Sequence, residues 1–211
     1  MSTKIAVLVS GGGTNLQALI DAQSRGLFGE GKIAAVISTK EDAYALTRAK
    51  NAGIPGYVLP RGKYASNQEM TVAMTQKLKE LEIDLVVLAG CMVIFTQELV
   101  QAYPNAVMNV HPALIPTFCG KGFYGLRVHE KALEYGVKLS GATVHFVSEE
   151  CDGGPIIAQK AVAVLEGDTP ESLQRRIMEQ AEWELLPEAV ALFCQGRLRV
   201  EGRTVIIKQE G

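Results

Sequence analysis

The chain has 211 residues, of which 47% are hydrophobic and 21% are charged, with a formal net charge of −2. This composition is typical of a globular protein and excludes a disordered chain. No apolar run approaches the roughly 20 residues that cross a bilayer, and the N-terminus lacks the features of a signal peptide, so we expect a cytoplasmic protein without a membrane partner. The pI near 6.0 argues against nucleic acid as a partner.

The cysteines and histidines show no metal-site pattern. No Cys-x-x-Cys pair occurs, and no two histidines have the i, i+4 spacing of a helical ligand pair. We therefore expect reduced thiols and no metal. The cysteines are Cys91, Cys119, Cys151 and Cys194, and the histidines are His111, His129 and His145.

In the first half of the chain, short β-branched runs alternate with amphipathic stretches. This alternation is typical of a parallel sheet with helices on both faces. We predict strands at 4–10, 32–38, 56–59, 84–89 and 106–111, and helices at 14–25, 42–52, 66–81 and 96–102. The expected N-caps are Thr14, Asp42 and Ser66.

The pattern changes after residue 112. A loop rich in proline and glycine leads to a helix at 126–135 and to two long strands at 140–148 and 155–164, which we expect to pair antiparallel. Pro170 opens a helix that continues to about Leu185, a second short helix follows Pro187, and residues 199–205 form a terminal hairpin.

These elements predict an open, Rossmann-like α/β fold. Its sheet is mostly parallel, has helices on both faces, and is extended by an antiparallel strand pair in the C-terminal half. We expect a single domain over residues 1–211, with a parallel half at 1–112 and a mixed half at 113–211.

The segment Ser10-Gly11-Gly12-Gly13-Thr14-Asn15 links the first strand to the first helix. Exposed glycine amides and a helix N-terminus form a natural phosphate cradle. Leu16 replaces the third glycine of a dinucleotide fingerprint, and the Gly-Lys-Ser/Thr of a nucleotide P-loop is absent from the sequence. The loop therefore favours a small phosphate, such as a phosphorylated sugar, over its alternative as a purely structural turn.

Asn109 and His111 end the fifth predicted strand and are two residues apart, so their side chains point to the same side. Ligands bind at the carboxyl ends of parallel strands in open α/β sheets. There an amide can polarise a carbonyl oxygen while an imidazole moves a proton. The alternative is a histidine that satisfies a loop carbonyl.

Asp152 begins the turn Asp152-Gly153-Gly154-Pro155. Aspartate commonly has a structural role in such turns. If the fold brings Asp152 beside His111, its charge would favour the imidazolium and orient the ring or a water for proton transfer.

Other polar residues allow two interpretations. His145 is expected on the more polar face of its strand, in a structural or lining role, and His129 in a solvent-facing or capping role. Glu179 and Glu182 are spaced to be neighbours on a helix, either on a solvated face or in contact with substrate hydroxyls.

Four segments together resemble the folate-dependent formyltransferase family along almost the whole chain, and favour its members that act on glycinamide ribonucleotide. The segments are 10–17, 88–92, 109–116 and 144–147 followed by 152–155. The resemblance implies transfer of a formyl group from 10-formyltetrahydrofolate, as co-substrate, to the amine of glycinamide ribonucleotide in purine synthesis. It implies a monomer or homodimer and no metal.

The resemblance also implies roles for individual residues. The matches to the catalytic group are Asn109, His111 and Asp152. The matches to the substrate site are Gly13, Thr14, Asn15, Glu179 and Glu182. The matches to the folate site are Asn67, Met92, Val93, Ile94, Phe95, Asn109, Ser148, Glu149, Glu150, Cys151 and Asp152, of which Asn67 and Val93 replace residues that are often arginine.

In the implied mechanism, the substrate amine attacks the formyl carbon while Asn109 and protonated His111 stabilise the oxyanion. Asp152 favours that protonation and helps to move the proton through water. Hydrolysis of formyl-folate, formylation of an initiator tRNA and non-enzymatic binding of a sugar phosphate are the alternatives.

Overall fold

A computed structural model describes residues 2–209 of the chain. The strands are β1 (Lys4–Val9), β2 (Lys32–Ser38), β3 (Gly56–Val58), β4 (Leu85–Leu88), β5 (Val107–His111), β6 (Leu139–Phe146), β7 (Ile156–Ala163), β8 (Leu198–Glu201) and β9 (Thr204–Ile207). The α-helices are α1 (Thr14–Ser24), α2 (Tyr44–Asn51), α3 (Asn67–Glu80), α4 (Gln97–Ala102), α5 (Leu126–Tyr135), α6 (Pro170–Ile177) and α7 (Trp183–Cys194). A 3-10 turn occurs at Arg61–Lys63 and a π-helical turn at Met178–Glu182.

The strands form one sheet in the order β3-β2-β1-β4-β5-β6-β7-β9-β8. The strands from β3 to β5 pair in parallel, whereas β6 runs antiparallel to both β5 and β7. The predicted mostly parallel sheet with an antiparallel extension is confirmed, and so is the terminal hairpin of β8 and β9. The carboxyl ends of β1, β4 and β5 therefore share one edge of the sheet.

The core lies on both faces of the sheet, as β1 illustrates. Ile5 and Val7 belong to one buried cluster, with α1, α5 and α7, while Ala6 and Leu8 belong to the other, with α3. Successive side chains of a strand point to opposite faces, so a strand covered on both sides is apolar throughout.

Within residues 2–209, no helix combines the length and the apolar character that a bilayer crossing requires. The four cysteines are free thiols, and only Cys151 is exposed.

Two of the three expected N-caps are wrong by one residue. Ser66 does cap α3, accepting a hydrogen bond from the backbone N–H of Glu69 at 3.1 Å. However, Gly13 and Ala43, not Thr14 and Asp42, occupy the N-cap positions of α1 and α2. Gly13 has φ of 72°, a left-handed conformation that suits glycine, and its place there leaves Thr14 in the first turn of α1.

The expected helix break at Pro187 is also wrong. Helix α7 begins at Trp183 and continues through Pro187 to Cys194, and it directly follows the π-helical turn. Proline lacks an N–H and crowds the carbonyl four residues earlier, here that of Trp183. The wider π turn ends just before this carbonyl. The departure from regular α-helical hydrogen bonding therefore lies in the π turn, and α7 continues through the proline.

His129 is buried, which corrects the solvent-facing or capping role expected for it. Its exposed fraction is 0%, and neither ring nitrogen has a hydrogen-bond partner within the described residues. Its neighbours Val128 and Ala132 on α5 are also buried, so this face of the helix packs on the core. Burial, reinforced by nearby His111, lowers the pKa of His129 from 6.5 to about 4.

We predict that His129 makes the protein less stable as the pH falls from about 6.5 to about 4. In this window the unfolded imidazole binds a proton and the buried one does not, so the free energy of unfolding decreases by up to about 1.4 kcal/mol per pH unit. Urea unfolding at pH 7, 6 and 5 should show a shallower decrease for His129→Leu than for the parent. Parallel pH dependences would contradict this assignment.

Candidate active site

The carboxyl end of β5 presents Asn109 and His111 on one side of the sheet. Met108 and Val110 belong to the buried cluster on the opposite face. The antiparallel register of β6 places His145 opposite Asn109 and Thr143 opposite His111. The pairing of β5 with β6 therefore adds the imidazole of His145 to the predicted pair of Asn109 and His111.

Asp152 lies beside both imidazoles. Its Oδ2 is 3.6 Å from Nδ1 of His111, and its Oδ1 is 3.7 Å from Nε2 of His145. Asp152 has φ of 55°, and its Oδ2 also accepts a hydrogen bond from the backbone N–H of Gly120 at 2.8 Å. The Asp152 carboxylate thus contacts both the loop at Gly120 and the two histidines.

The turn that carries Asp152 fits closely against the end of β6. A Cβ atom added to Gly154 would lie 1.7 Å from the carbonyl oxygen of Phe146. Any side chain at this position would therefore displace the turn, and Asp152 with it.

The imidazole of His111 is buried and held by hydrogen bonding. Nε2 lies 2.8 Å from the carbonyl oxygen of Phe118, which can only accept, so Nε2 carries the proton. The alternative role, in which the histidine satisfies a loop carbonyl, is therefore real in this structure. Burial lowers the pKa of His111 below its ordinary value, although the Asp152 carboxylate and the Phe118 carbonyl raise it.

Asp152 is ionised at neutral pH. Burial raises the pKa of its carboxyl, but the contacts with His145 and His111 and the Gly120 N–H outweigh burial and bring the pKa below its usual value. The site therefore holds one negative charge next to two imidazole rings.

His145 contributes more than the structural or lining role that the sequence indicated. Its Nδ1 lies 2.9 Å from the carbonyl oxygen of Phe146 and must therefore donate. Its Nε2 lies 3.2 Å from Nδ2 of Asn109 and 3.7 Å from Oδ1 of Asp152. His145 thus fixes the orientation of the Asn109 carboxamide, which the register of β5 and β6 could have indicated.

The glycine loop lies at the carboxyl end of β1. An added Cβ at Gly11 or Gly12 would meet nothing within 4 Å, whereas one at Gly13 would lie 2.7 Å from Cβ of Ala45. Of these three loop glycines, only Gly13 is required by the packing of the protein itself. The open space at Gly11 and Gly12 suits the close approach of a ligand to the backbone.

Ser10 connects this loop to the segment after β4. Its Oγ lies 2.6 Å from Oγ1 of Thr39 and accepts a hydrogen bond from the N–H of Met92 at 2.9 Å. The glycine loop and the predicted folate segment are thus joined directly.

Asn15 and Glu182 meet, although 167 positions separate them in the chain. Nδ2 of Asn15 donates to Oε2 of Glu182 at 2.6 Å, and Oδ1 of Asn15 is buried without a partner in the described structure. Only 6% of Glu182 is exposed. Burial raises the pKa of Glu182 to about 6, although the Asn15 bond lowers it.

Glu179 does not join Glu182. It is ion-paired with Arg175 at 2.8 Å on the surface. Both glutamates belong to the π-helical turn. Glu179 is exposed and Glu182 is buried, so only Glu179 has the solvated position that was one of the two expectations.

In the segment after β4, residues 92–95, side chains point alternately to solvent and to the core. Met92 and Ile94 are each 53% exposed, while Val93 and Phe95 pack against the core cluster around α3. Apolar side chains are thus available on an open surface. Oδ1 of Asn67 accepts a hydrogen bond from Nε of Arg61 at 2.8 Å.

The other predicted folate residues lie in the Asp152 loop. Oγ of Ser148 donates to the carbonyl of Glu150 at 3.1 Å, and Glu149, Glu150 and Cys151 are exposed. Among residues 2–209, no three His, Cys, Asp or Glu side chains are arranged to hold a metal ion.

Comparison with known proteins gives consistent matches. The model of a family described as formyl transferase matches residues 3–190. A phosphoribosylglycinamide formyltransferase from Haemophilus influenzae is 44% identical over 198 residues, covering 94% of this chain and 90% of that protein. The structure of glycinamide ribonucleotide transformylase 1 from Symbiobacterium toebii has a TM-score of 0.92 at 45% identity, covering 99% of this chain and 95% of that chain.

A formyltetrahydrofolate deformylase from Pseudomonas syringae is also similar in structure. Its TM-score is 0.88 at 26% identity, covering 99% of this chain and 67% of that chain. The sheet is thus shared with a protein named for a different reaction of a formyl-folate.

Replacing Asp152 with asparagine keeps the size of the side chain and removes its charge. We expect the pKa of His111 to fall further in Asp152→Asn, because this carboxylate opposes the effect of burial. NMR titration of the imidazole resonances measures the change. Glu149→Gln, which removes an exposed carboxylate from the same loop, is the control, and an unchanged His111 titration in Asp152→Asn would refute the coupling.

Proposed function

The chain belongs to the formyl transferase family, and on that premise we propose that it transfers a formyl group from 10-formyltetrahydrofolate to the amine of glycinamide ribonucleotide. The products are formylglycinamide ribonucleotide and tetrahydrofolate, in purine synthesis in the cytoplasm. The grouping of Asn109, His111 and Asp152 at the carboxyl edge of the sheet carries this proposal.

An assay of product formation tests this function against its alternatives. The purified protein should release tetrahydrofolate only when both 10-formyltetrahydrofolate and glycinamide ribonucleotide are present. Release of formate without the ribonucleotide would instead favour the hydrolytic reaction. Binding of the ribonucleotide without turnover would favour a sugar-phosphate-binding protein.

Asn109 supplies a donor for the formyl oxygen. Negative charge develops on this oxygen when the substrate amine attacks the formyl carbon, and preorganised donors stabilise it. A carboxamide NH2 has two N–H donors. One is directed to His145 at 3.2 Å, so the other is available to the oxygen.

His111 supplies the second donor. Its Nε2–H donates to the Phe118 carbonyl, and we propose that the formyl oxygen takes the place of this carbonyl. We propose that Nδ1 takes up a proton from solvent before the attack, so that the ring donates Nε2–H to the oxygen as an imidazolium. Asp152, on the Nδ1 side of the ring, stabilises the resulting positive charge.

A proton must leave the attacking nitrogen as the new C–N bond forms. It reaches the folate nitrogen as the bond between that nitrogen and the formyl carbon breaks. We propose that a water held by the ionised Asp152 carries this proton.

We propose that the substrate phosphate binds the amides of Gly13, Thr14 and Asn15 at the N-terminus of α1. We propose that Glu182, which accepts a hydrogen bond from Asn15 at 2.6 Å, also accepts a hydrogen bond from the ribose. Glu179 is turned to the surface and paired with Arg175, so it supports the outer side of the π turn.

For the folate, we propose a binding surface formed by Met92 and Ile94 on one side and the loop 148–152 on the other. Val93 and Phe95 pack inward and support this segment, while Asn67 lies at the start of α3. Residues 1–112 would then provide the phosphate loop and residues 113–211 would complete the folate site within one domain.

Alanine at Asn109 or His111 should lower kcat by about 100-fold or more, because one oxyanion donor or one acid–base group contributes roughly this much. Asn109→Asp keeps the shape and loses both N–H donors, so it should be about as slow as Asn109→Ala. Steady-state kinetics at saturating substrates measure the change. Near-native turnover in a folded variant would remove that residue from the mechanism.

The two kinds of glycine in the loop allow a matched comparison. Gly13→Ala should lower the melting temperature, because its Cβ would contact Ala45 and its φ is left-handed. Gly12→Ala should leave the melting temperature unchanged, because its Cβ would contact no protein atom. It should weaken binding of glycinamide ribonucleotide, because this Cβ would occupy the open space beside the loop backbone where we propose that the phosphate binds. Thermal unfolding and calorimetric titration measure the two effects, and unchanged affinity in Gly12→Ala would contradict the phosphate site.

A further inference from the structure

The carbonyl groups of the glycine loop are bonded to α2. The carbonyl of Gly11 accepts a hydrogen bond from the N–H of Ala45 at 3.1 Å. The carbonyl of Gly12 accepts one from Nε of Arg48 at 2.8 Å. Two consecutive peptide units thus have their oxygen atoms turned towards the same helix.

This arrangement fixes where the adjoining N–H groups point. A trans peptide unit is planar, and its N–H is opposite to its C=O. The one cis peptide bond in residues 2–209 joins Ile115 and Pro116, so both loop peptides are trans. The N–H groups of Gly12 and Gly13 therefore point away from α2, and neither donates to a protein acceptor in the described part of the chain.

Arg48 is itself held in place. Its Nη1 donates to Oε1 of Gln17 at 3.0 Å, and its guanidinium carbon lies 5.1 Å from the centre of the Tyr44 ring. Stacking and two hydrogen bonds orient the planar guanidinium in a way that a lysine ammonium could not reproduce.

We propose that Arg48 is a positioning residue for the substrate phosphate. By holding the Gly12 carbonyl, it turns the peptide between Gly12 and Gly13 so that the Gly13 N–H faces the phosphate. This inference rests on the proposed function. Arg48 acts through the backbone, and its positive charge is not the feature on which binding depends.

Arg48→Lys and Arg48→Met distinguish positioning from charge. Both variants should weaken binding of glycinamide ribonucleotide by about tenfold, the effect of losing one hydrogen bond to a charged group. The competitive inhibition constant of inorganic phosphate should rise by a similar factor. Once the ribonucleotide is saturating, kcat and the KM for 10-formyltetrahydrofolate should stay at the parent's values.

A spectroscopic measurement reports on the loop directly. Adding inorganic phosphate to the parent should move the amide proton resonance of Gly13 downfield, and this shift should shrink in both variants. Tyr44→Leu, which removes the ring beside the guanidinium, should produce the same change more weakly. It also preserves the test if Arg48→Met does not fold.

Arg25→Met is the matched control. Arg25 is exposed and, like Arg48, lines a groove beside α1 with a volume of about 280 Å³. The substitution therefore removes a nearby positive charge without changing a contact of the loop. Its ribonucleotide affinity should equal that of the parent. Full affinity in Arg48→Lys with a loss only in Arg48→Met would overturn positioning in favour of charge, and full affinity in both would remove Arg48 from the site. A parent protein that produces no tetrahydrofolate would instead overturn the proposed function.

Discussion

The antiparallel pairing of β6 with β5 is the constraint on which the site depends. Asn109 and His111 lie at the carboxyl end of β5, and β6, which runs in the opposite direction, begins beside this end and finishes beside Met108. The register of β6 places His145 opposite Asn109, and the loop that follows β6 brings Oδ2 of Asp152 to 3.6 Å from Nδ1 of His111. Two segments that are distant in the chain thus supply one cluster of side chains.

Much of the fold could be predicted from periodicity, because buried strands and amphipathic helices follow different patterns. Helix α5 was predicted over its observed range, Leu126–Tyr135, and the antiparallel pair of β6 and β7 was confirmed. The shared side of Asn109 and His111 followed from strand alternation alone. The distance from Asp152 to His111 could not be derived, since it depends on which strand lies next to β5.

The errors have local physical causes. Pro187 was predicted to break a helix, but a π turn precedes it and α7 continues through it. Amino-acid composition does not reveal a π turn, because residues 178–182 are of types that are also common in α-helices. His129 was expected in a solvent-facing or capping role, whereas its position on the inward face of α5 decides its burial. The protonation of His111 depends on a balance between burial and one carboxylate, which requires coordinates.

The uneven attachment of strands along the sheet has a consequence for local unfolding. The hairpin of β8 and β9 is joined to β7 through a single paired position, Ile156 with Thr204, whereas β1 and β5 are paired on both sides. Amide protons of the hairpin should therefore exchange with solvent in small, frequent openings, while those of β4 and β5 exchange only in global unfolding. The edge that carries Asn109 and His111 lies in this slowly exchanging centre, so fraying of the hairpin leaves the geometry of the candidate site intact.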